Sequence, residues 1–131
     1  MLSRMNDDAP GTVLVADDED ILLRLVVRVL ERAGYEVRTA RDVDETRRSL
    51  AGAAFDAVVL DATLAPGGAE ELLDEIGRAP GPPGVVLTSG AAPSEEARRA
   101  LEALGGRFLA KPFAPAVLLE ALQAVRAGRG A

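Results

Sequence analysis

The residues best suited to chemistry are carboxylates that directly follow apolar runs. The segment VLVADDED (13–20) places Asp17 and Asp18 after one run, and AVVLD (57–61) ends in Asp61. Carboxylates that converge repel one another unless a cation neutralises them. A ligand set made only of oxygen suits Mg²⁺ among the divalent cations. We therefore expect Asp17, Asp18 and Asp61 to form a Mg²⁺ site.

Asp61 can also serve as a nucleophile. Its small, uncharged neighbours Ala62 and Thr63 leave the carboxylate free to attack phosphorus and form an aspartyl phosphate. Ser89 and Lys111, which follow two later apolar runs, can then hold the other phosphoryl oxygens. Lys111 is the only lysine among 15 basic residues, which indicates a position that requires a compact point charge.

Composition excludes several classes of function. The 131 residues, 48% of them hydrophobic, suit one domain. The absence of cysteine and histidine excludes disulfides, zinc sites and histidine-based acid–base catalysis. A polar N-terminus, and apolar runs broken by Arg24 and Arg28, indicate neither export nor a membrane span, so we predict a cytoplasmic protein. A net charge of −6 argues against nucleic-acid binding and favours a protein partner.

The elements that must position these residues alternate along the chain. Apolar runs predict strands at residues 12–16, 35–40, 55–61, 84–89 and 107–110, each followed by a predicted helix. The first helix has an apolar face that includes Ile21 and Leu25 and ends at Gly34. Ser94 is the predicted cap of the fourth helix, and Pro115 opens the fifth.

The alternation of predicted strands and helices indicates an α/β fold with a doubly wound parallel sheet, because strands that are apolar throughout must be covered on both faces. Ligands of such sheets sit beyond the carboxyl ends of the strands, where all the candidate residues fall. We assign residues 1–10 to an N-terminal tail, 11–127 to the domain and 128–131 to a C-terminal tail.

The segments VLVADDE, AVVLD, TSG and AKPF, in this order, resemble the receiver domain of two-component response regulators. The segment KPFAPAVLLEALQAV (111–125) looks more like receivers attached to hybrid histidine kinases. The resemblance implies a flavodoxin-like sheet of order 2-1-3-4-5. It also implies that Asp18 binds Mg²⁺ directly, that Asp17 assists mostly through water, and that the Thr63 carbonyl completes the metal shell. Asp61 would then be the phosphoacceptor, and Lys111 would contact the phosphoryl group.

The resemblance further assigns a switch. Ser89 takes the position of the switch hydroxyl because Gly90 matches the small residue that usually follows, and Thr88 is the alternative. Phe108 takes the position of the switch aromatic, although a simple core role is equally compatible with the sequence.

The function that the resemblance implies is transfer of a phosphoryl group to Asp61 from a histidine kinase or histidine phosphotransfer protein. The domain would catalyse this transfer and its own dephosphorylation without being a conventional enzyme. Phosphorylation would change a face formed by the fourth helix, fifth strand and fifth helix, to which an unknown output partner binds.

Other interpretations remain open at this point. A phosphatase could also form an aspartyl phosphate, but such families resemble D-x-D, and Thr63 stands where the second acid belongs. A flavin-binding module would need hydroxyls where this chain has acids, and a receiver-like module that is not phosphorylated could serve only as an interaction surface. Glu19 and Asp20 are typical of a helix start.

Three further predictions concern the loop after Asp61, the second helix and the Lys111–Pro112 peptide bond. The loop after Asp61 departs from the family pattern at Ala65 and Pro66. Arg47 stands in the second helix where the family usually has an apolar residue, so we expect looser packing there. We also predict a cis Lys111–Pro112 bond, with Lys111 among the carboxylates.

Overall fold

The computed structural model describes residues 11–64 and 68–130, where strands and helices alternate. The strands are β1 (Thr12–Ala16), β2 (Glu36–Ala40), β3 (Ala57–Asp61), β4 (Gly84–Ser89) and β5 (Arg107–Ala110). The helices are α1 (Asp20–Arg32), α2 (Val43–Gly52), α3 (Gly68–Arg78), α4 (Glu95–Ala103) and α5 (Pro115–Gly130). The predicted tail at residues 1–10 and the loop departure at Ala65 and Pro66 lie outside the described residues.

The strands form one parallel sheet in the order β2-β1-β3-β4-β5. The predicted doubly wound fold and strand order are therefore confirmed. β1, β4 and β5 have the predicted bounds, whereas β2 and β3 begin slightly later than predicted. All residues of β3 and β4 are buried, as expected for central strands covered by helices on both faces.

Alternating side chains of the sheet pack into two cores. On one face, Leu14 and Leu87 belong to a cluster with Leu72 of α3 and Leu101 of α4. On the opposite face, residues of the same strands cluster with residues of α1 and α5: Val13, Val15, Val59, Val86, Leu23, Val26, Leu30, Leu118, Leu122 and Val125. Because consecutive residues of a strand point to opposite faces, each strand can contribute to both cores.

Local signals in the sequence set the helix ends. Gly34 follows α1 with a φ of 98°, and its N–H donates to the Glu31 carbonyl while that of Tyr35 donates to the Leu30 carbonyl. This is the arrangement that a left-handed glycine permits after a helix. Ser94 caps α4, since its Oγ accepts a hydrogen bond from the N–H of Ala97 at 3.0 Å. Both predicted boundaries are confirmed.

The apolar face of α1 is wider than the core that it covers. Ile21 and Leu25 are 84% and 55% exposed, so this face extends past the sheet to the surface. The helical period places these two residues on the same apolar face as buried Val26 and Leu30, but it does not show which part of that face the core covers. At the other end of the chain, α5 runs through Gly130 and so includes residues 128–130 of the segment assigned to the C-terminal tail.

The unusual Arg47 of α2 is held by an ion pair with α3. Its guanidinium contacts both carboxylate oxygens of Glu75, at 2.8 Å from Nη2 to Oε2 and 3.0 Å from Nε to Oε1. The Arg47 side chain keeps 37% of its surface exposed, so its guanidinium stays partly hydrated. The two helices are therefore joined here by charge.

Candidate functional site

Carboxylates from two neighbouring strands meet at the carboxyl edge of the sheet. Asp17 follows β1 and is 5% exposed, and Asp61 ends β3 and is 2% exposed. Asp18 is exposed beside them, and one carboxylate oxygen from each of the three lies within 4.8 Å of the others. The predicted convergence of these acids is thus observed.

Lys111 reaches into this cluster from the end of β5. Its Nζ lies 3.1 Å from Oδ2 of Asp17, 3.4 Å from Oδ1 of Asp61 and 3.5 Å from Oε1 of Glu19. The Lys111–Pro112 peptide bond is cis, as predicted. The side chain is 16% exposed, so the charges interact in a partly desolvated environment.

The charges in this cluster perturb one another. Burial raises the pKa of Asp17 above its usual value, and the charge of nearby Asp61 raises it further. Hydrogen bonds from the Glu19 N–H and from Lys111 lower this pKa but do not cancel the rise. Burial by itself lowers the pKa of Lys111, but the hydrogen bond and charge of Asp17, together with the charge of Asp61, outweigh burial and raise it. Lys111 is consequently held as a cation among the acids.

Thr63 contacts the Asp61 carboxylate from the loop that follows β3. The Thr63 hydroxyl lies 3.2 and 3.1 Å from the two Asp61 oxygens, and the Thr63 N–H donates to Oδ1 at 3.3 Å. Thr63 is exposed, which places its small polar side chain between solvent and the buried acid. The role of its carbonyl as a metal ligand stays a prediction.

Both candidate switch hydroxyls are buried at the end of β4. Thr88 is 2% exposed and pairs with Asp61 across the sheet, whereas Ser89 is 3% exposed and pairs with Ala110. The Ser89 Oγ accepts a hydrogen bond from the Ala91 N–H at 3.1 Å. The switch role of Ser89 stays a prediction.

Phe108, the candidate switch aromatic, lies on β5 at the surface. It is 36% exposed and therefore does not take the simple core role that the sequence left open. An aromatic ring at the surface has room to turn, but its part in a switch stays a prediction.

Sequence reasoning missed two features at this edge. Glu19, expected only at a helix start, also pairs with Lys111, and its side chain makes no capping hydrogen bond. The exposed Ile21 and Leu25 line an apolar groove of about 540 Å³ between α1 and the loop after β5, which Glu19 and Lys111 also line. The exposure of a residue on a helix depends on its tertiary neighbours, which periodicity does not show.

The donor set fits a hard divalent cation. All three carboxylates offer oxygen ligands, and two of the three are buried. A bound metal ion would relieve the repulsion between these carboxylates, which the single charge of Lys111 offsets only in part. Asp17, Asp18 and Asp61 are the residues that would hold such an ion.

Comparison with known proteins gives a consistent match. The family model of the response regulator receiver domain matches residues 13–123. Protein PetR of Rhodobacter capsulatus is 30% identical over 121 residues, which are 92% of this chain and 51% of PetR. The nitrogen assimilation regulatory protein NtrX of Azorhizobium caulinodans is 36% identical over 103 residues, covering 77% of this chain and 23% of NtrX. The chain thus spans about half or less of the length of these relatives.

Solved structures show the same fold. A CheY-like response regulator receiver domain protein from Methanospirillum hungatei superposes with a TM-score of 0.80 at 26% identity, covering 91% of this chain and 95% of the other. A response regulator from Burkholderia pseudomallei, solved with a phosphorylated aspartic acid, a calcium ion and citrate, has a TM-score of 0.76 at 27% identity, covering 89% of this chain and 69% of the other. Within residues 11–64 and 68–130, no helix is both long and apolar enough to span a bilayer.

Proposed function

This chain belongs to the response regulator receiver domains of two-component systems, and we propose that it is a switch controlled by phosphorylation of Asp61. The observation that carries the proposal is the contact of buried Asp61 with Lys111 beside Asp17 and Asp18. A nucleophilic carboxylate, a cation and two further acids for a metal are the components that phosphoryl transfer to aspartate requires. The phosphorylated aspartic acid of the similar Burkholderia pseudomallei protein supports the same assignment.

The chemistry is a displacement at phosphorus. An Asp61 oxygen forms a bond to phosphorus while the bond from phosphorus to the donor's imidazole nitrogen breaks, and that nitrogen regains a proton from solvent. Lys111 stays protonated because its acidic neighbours outweigh burial and raise its pKa, so it can turn from these carboxylates to a phosphoryl oxygen. A Mg²⁺ ion bound by the three acids would supply charge neutralisation at the phosphoryl oxygens. Ser89 is the proposed hydroxyl partner of the phosphoryl group.

We propose a histidine kinase or histidine phosphotransfer protein as the donor. A protein that delivers phosphorus to Asp61 must cover the edge of the site, and the apolar groove beside α1 shares Glu19 and Lys111 with that edge. This partner would bury the exposed side chains of Ile21 and Leu25, which explains why two large apolar residues lie at the surface. The cytoplasmic location of this chain stays a prediction.

The proposed output face is formed by α4, β5 and α5. Phe108 and Val117 expose 36% and 44% of their surfaces there. Movement of Ser89 toward a phosphoryl group would be accompanied by inward rotation of Phe108 and a change in this face. Such a change is a population shift between two arrangements of one fold.

Labelling with a small donor tests the proposal. Incubation with Mg²⁺ and acetyl phosphate should add one phosphoryl group to the wild type and none to Asp61→Asn, as measured by intact-mass spectrometry. Asp74→Asn, at an exposed acid on α3, is a control that should label normally. Equal labelling of the wild type and Asp61→Asn would contradict the assignment of Asp61.

A further inference from the structure

The loop between Ser89 and α4 is held at both ends by serine hydroxyls. At its start the Ser89 Oγ accepts from the Ala91 N–H at 3.1 Å, and at its end the Ser94 Oγ accepts from the Ala97 N–H at 3.0 Å. Ser94 has a second contact, because its hydroxyl donates to Oε2 of Glu70 at 2.7 Å. Glu70 lies in the first turn of α3, the helix that follows the loop after Asp61. The Ser94–Glu70 hydrogen bond therefore joins the segments that follow β3 and β4.

In the proposed switch, the Ser89 hydroxyl turns to a phosphoryl oxygen, and this movement affects the three hydrogen bonds of Ser89 and Ser94 differently. A Ser89 hydroxyl that turns to a phosphoryl oxygen can no longer be positioned as the acceptor for the Ala91 N–H, so the start of the loop is released. The cap on Ala97 lies within α4 and moves with that helix. Of the side-chain hydrogen bonds that hold this loop in the described residues, the one to Glu70 ties it to a different helix. It must therefore stretch or break if α4 shifts relative to α3.

We infer that the Ser94–Glu70 hydrogen bond is a latch that holds the loop 90–93 and the start of α4 in the unphosphorylated arrangement. The inference rests on the proposed switch and adds a residue pair that sets its balance. By reciprocity, weakening a contact present only in the unphosphorylated arrangement favours the other one and makes Asp61 easier to phosphorylate. Both residues act through position and neither contacts the reacting atoms.

A matched pair of substitutions separates the latch from the cap. Asp, Asn and Ser are comparable N-caps, so Ser94→Asp and Ser94→Asn both keep the hydrogen bond from Ala97. The amide of Ser94→Asn can still donate to Glu70, whereas the carboxylate of Ser94→Asp cannot donate and repels it. The double variant Ser94→Asp with Glu70→Gln restores a hydrogen bond in the opposite direction, because the glutamine amide can donate.

Two measurements are made on the wild type and these three variants: amide hydrogen exchange of the unmodified protein and the rate of labelling by acetyl phosphate. In Ser94→Asp, we expect faster exchange at Ala91, retained protection at Ala97, and labelling faster by about twofold to tenfold, the range that one hydrogen bond contributes. Ser94→Asn and the double variant should behave like the wild type.

The outcomes distinguish the latch from the switch itself. If Ser94→Asp exchanges or labels like Ser94→Asn while the wild type is labelled on Asp61, the latch is overturned and the proposed function stands. If the wild type takes up no phosphoryl group, the proposed function fails. Exchange at Ala91 in unphosphorylated Ser94→Asp that equals that of the wild type would overturn the latch independently. Failure of the double variant to restore wild-type behaviour would assign the effect to the added charge instead of the lost hydrogen bond, and would also overturn it.

Discussion

At the scale of single residues, Lys111 carries the charge balance of the site. It faces Asp17, Asp61 and Glu19 at 3.1 to 3.5 Å. Burial lowers its pKa, but the two buried acids outweigh burial and raise it. An ammonium can turn among several oxygens because its three donors radiate from one atom, whereas a guanidinium is planar and forked and prefers one paired geometry. The site therefore favours lysine for its shape as well as its charge.

Lys111→Arg is expected to fold but to be phosphorylated more slowly. The broader guanidinium should either occupy the position of Mg²⁺ or miss the phosphoryl oxygen. Removing one group that stabilises transition-state charge costs about 10²–10³ in rate, so we expect labelling by acetyl phosphate to slow by at least about tenfold. Lys111→Met serves as the comparison without charge, and thermal unfolding shows whether both variants are folded. A Lys111→Arg variant labelled at the wild-type rate would mean that any cation suffices.

Sequence alone predicted the acids at strand ends, their convergence and the approach of Lys111, because the carboxyl ends of parallel strands share one edge. It did not predict that Glu19 would join Lys111, since a helix-start acid has no feature that distinguishes a solvated from a paired side chain. The hydrogen bond between Ser94 and Glu70 was not predicted either. That contact depends on how α3 and α4 are placed relative to each other.

At the scale of elements, the contact between α2 and α3 shows how an unexpected residue is accommodated. Arg47 stands where an apolar residue was expected, and it pairs with both carboxylate oxygens of Glu75 and lies 3.6 Å from Glu71. The looser packing of this helix stays a prediction. The hydrogen bond from Arg47 lowers the pKa of Glu75 below its usual value and outweighs the effect of burial. The pair thus replaces an apolar contact with one that depends on pH and ionic strength.

Arg47→Met is expected to lower the free energy of unfolding at pH 7 by a small amount, because both side chains of the pair are more than a third exposed and solvent screens them. Because the folded-state pKa of Glu75 is lowered, the pair stabilises the fold above pH 4.5, and this contribution is lost as the pH falls through that lower pKa. The difference between Arg47→Met and the wild type should therefore shrink in acid and at high salt.

Arg48→Met is the matched control for this experiment. Arg48 is the next residue along α2, it is exposed, and it forms no ion pair within the part of the chain that the structure describes. Urea denaturation of the three proteins at pH 7 and pH 3 gives the comparison. A loss that is equal at both positions, or one that does not change with pH, would show that Arg47 stabilises α2 without its ion pair.

At the scale of the whole molecule, the sheet brings together acids that are far apart in sequence, and this has a cost. Asp17 and Asp61 are buried within reach of each other, and the pKa of Asp17 is raised chiefly by burial and further by Asp61. The fold therefore holds carboxylates in positions that favour a bound cation. Strand order was predictable because the family resemblance implies it, whereas the exposed surface of α1 was not, because it depends on what the sheet leaves uncovered.

Mg²⁺ is therefore expected to stabilise the fold. A ligand that binds only the native state adds RT ln(1 + [L]/Kd), which is about 1.4 kcal/mol at ten times Kd and should raise Tm by a few degrees. Asp18→Ala should lose most of this rise and should be no less stable than the wild type in EDTA, because one repulsive charge is gone. Asp74→Ala removes the same charge from an exposed position on α3 and should keep the full rise. Calorimetry with and without millimolar Mg²⁺ measures all three proteins, and a rise that persists in Asp18→Ala would place the bound metal elsewhere.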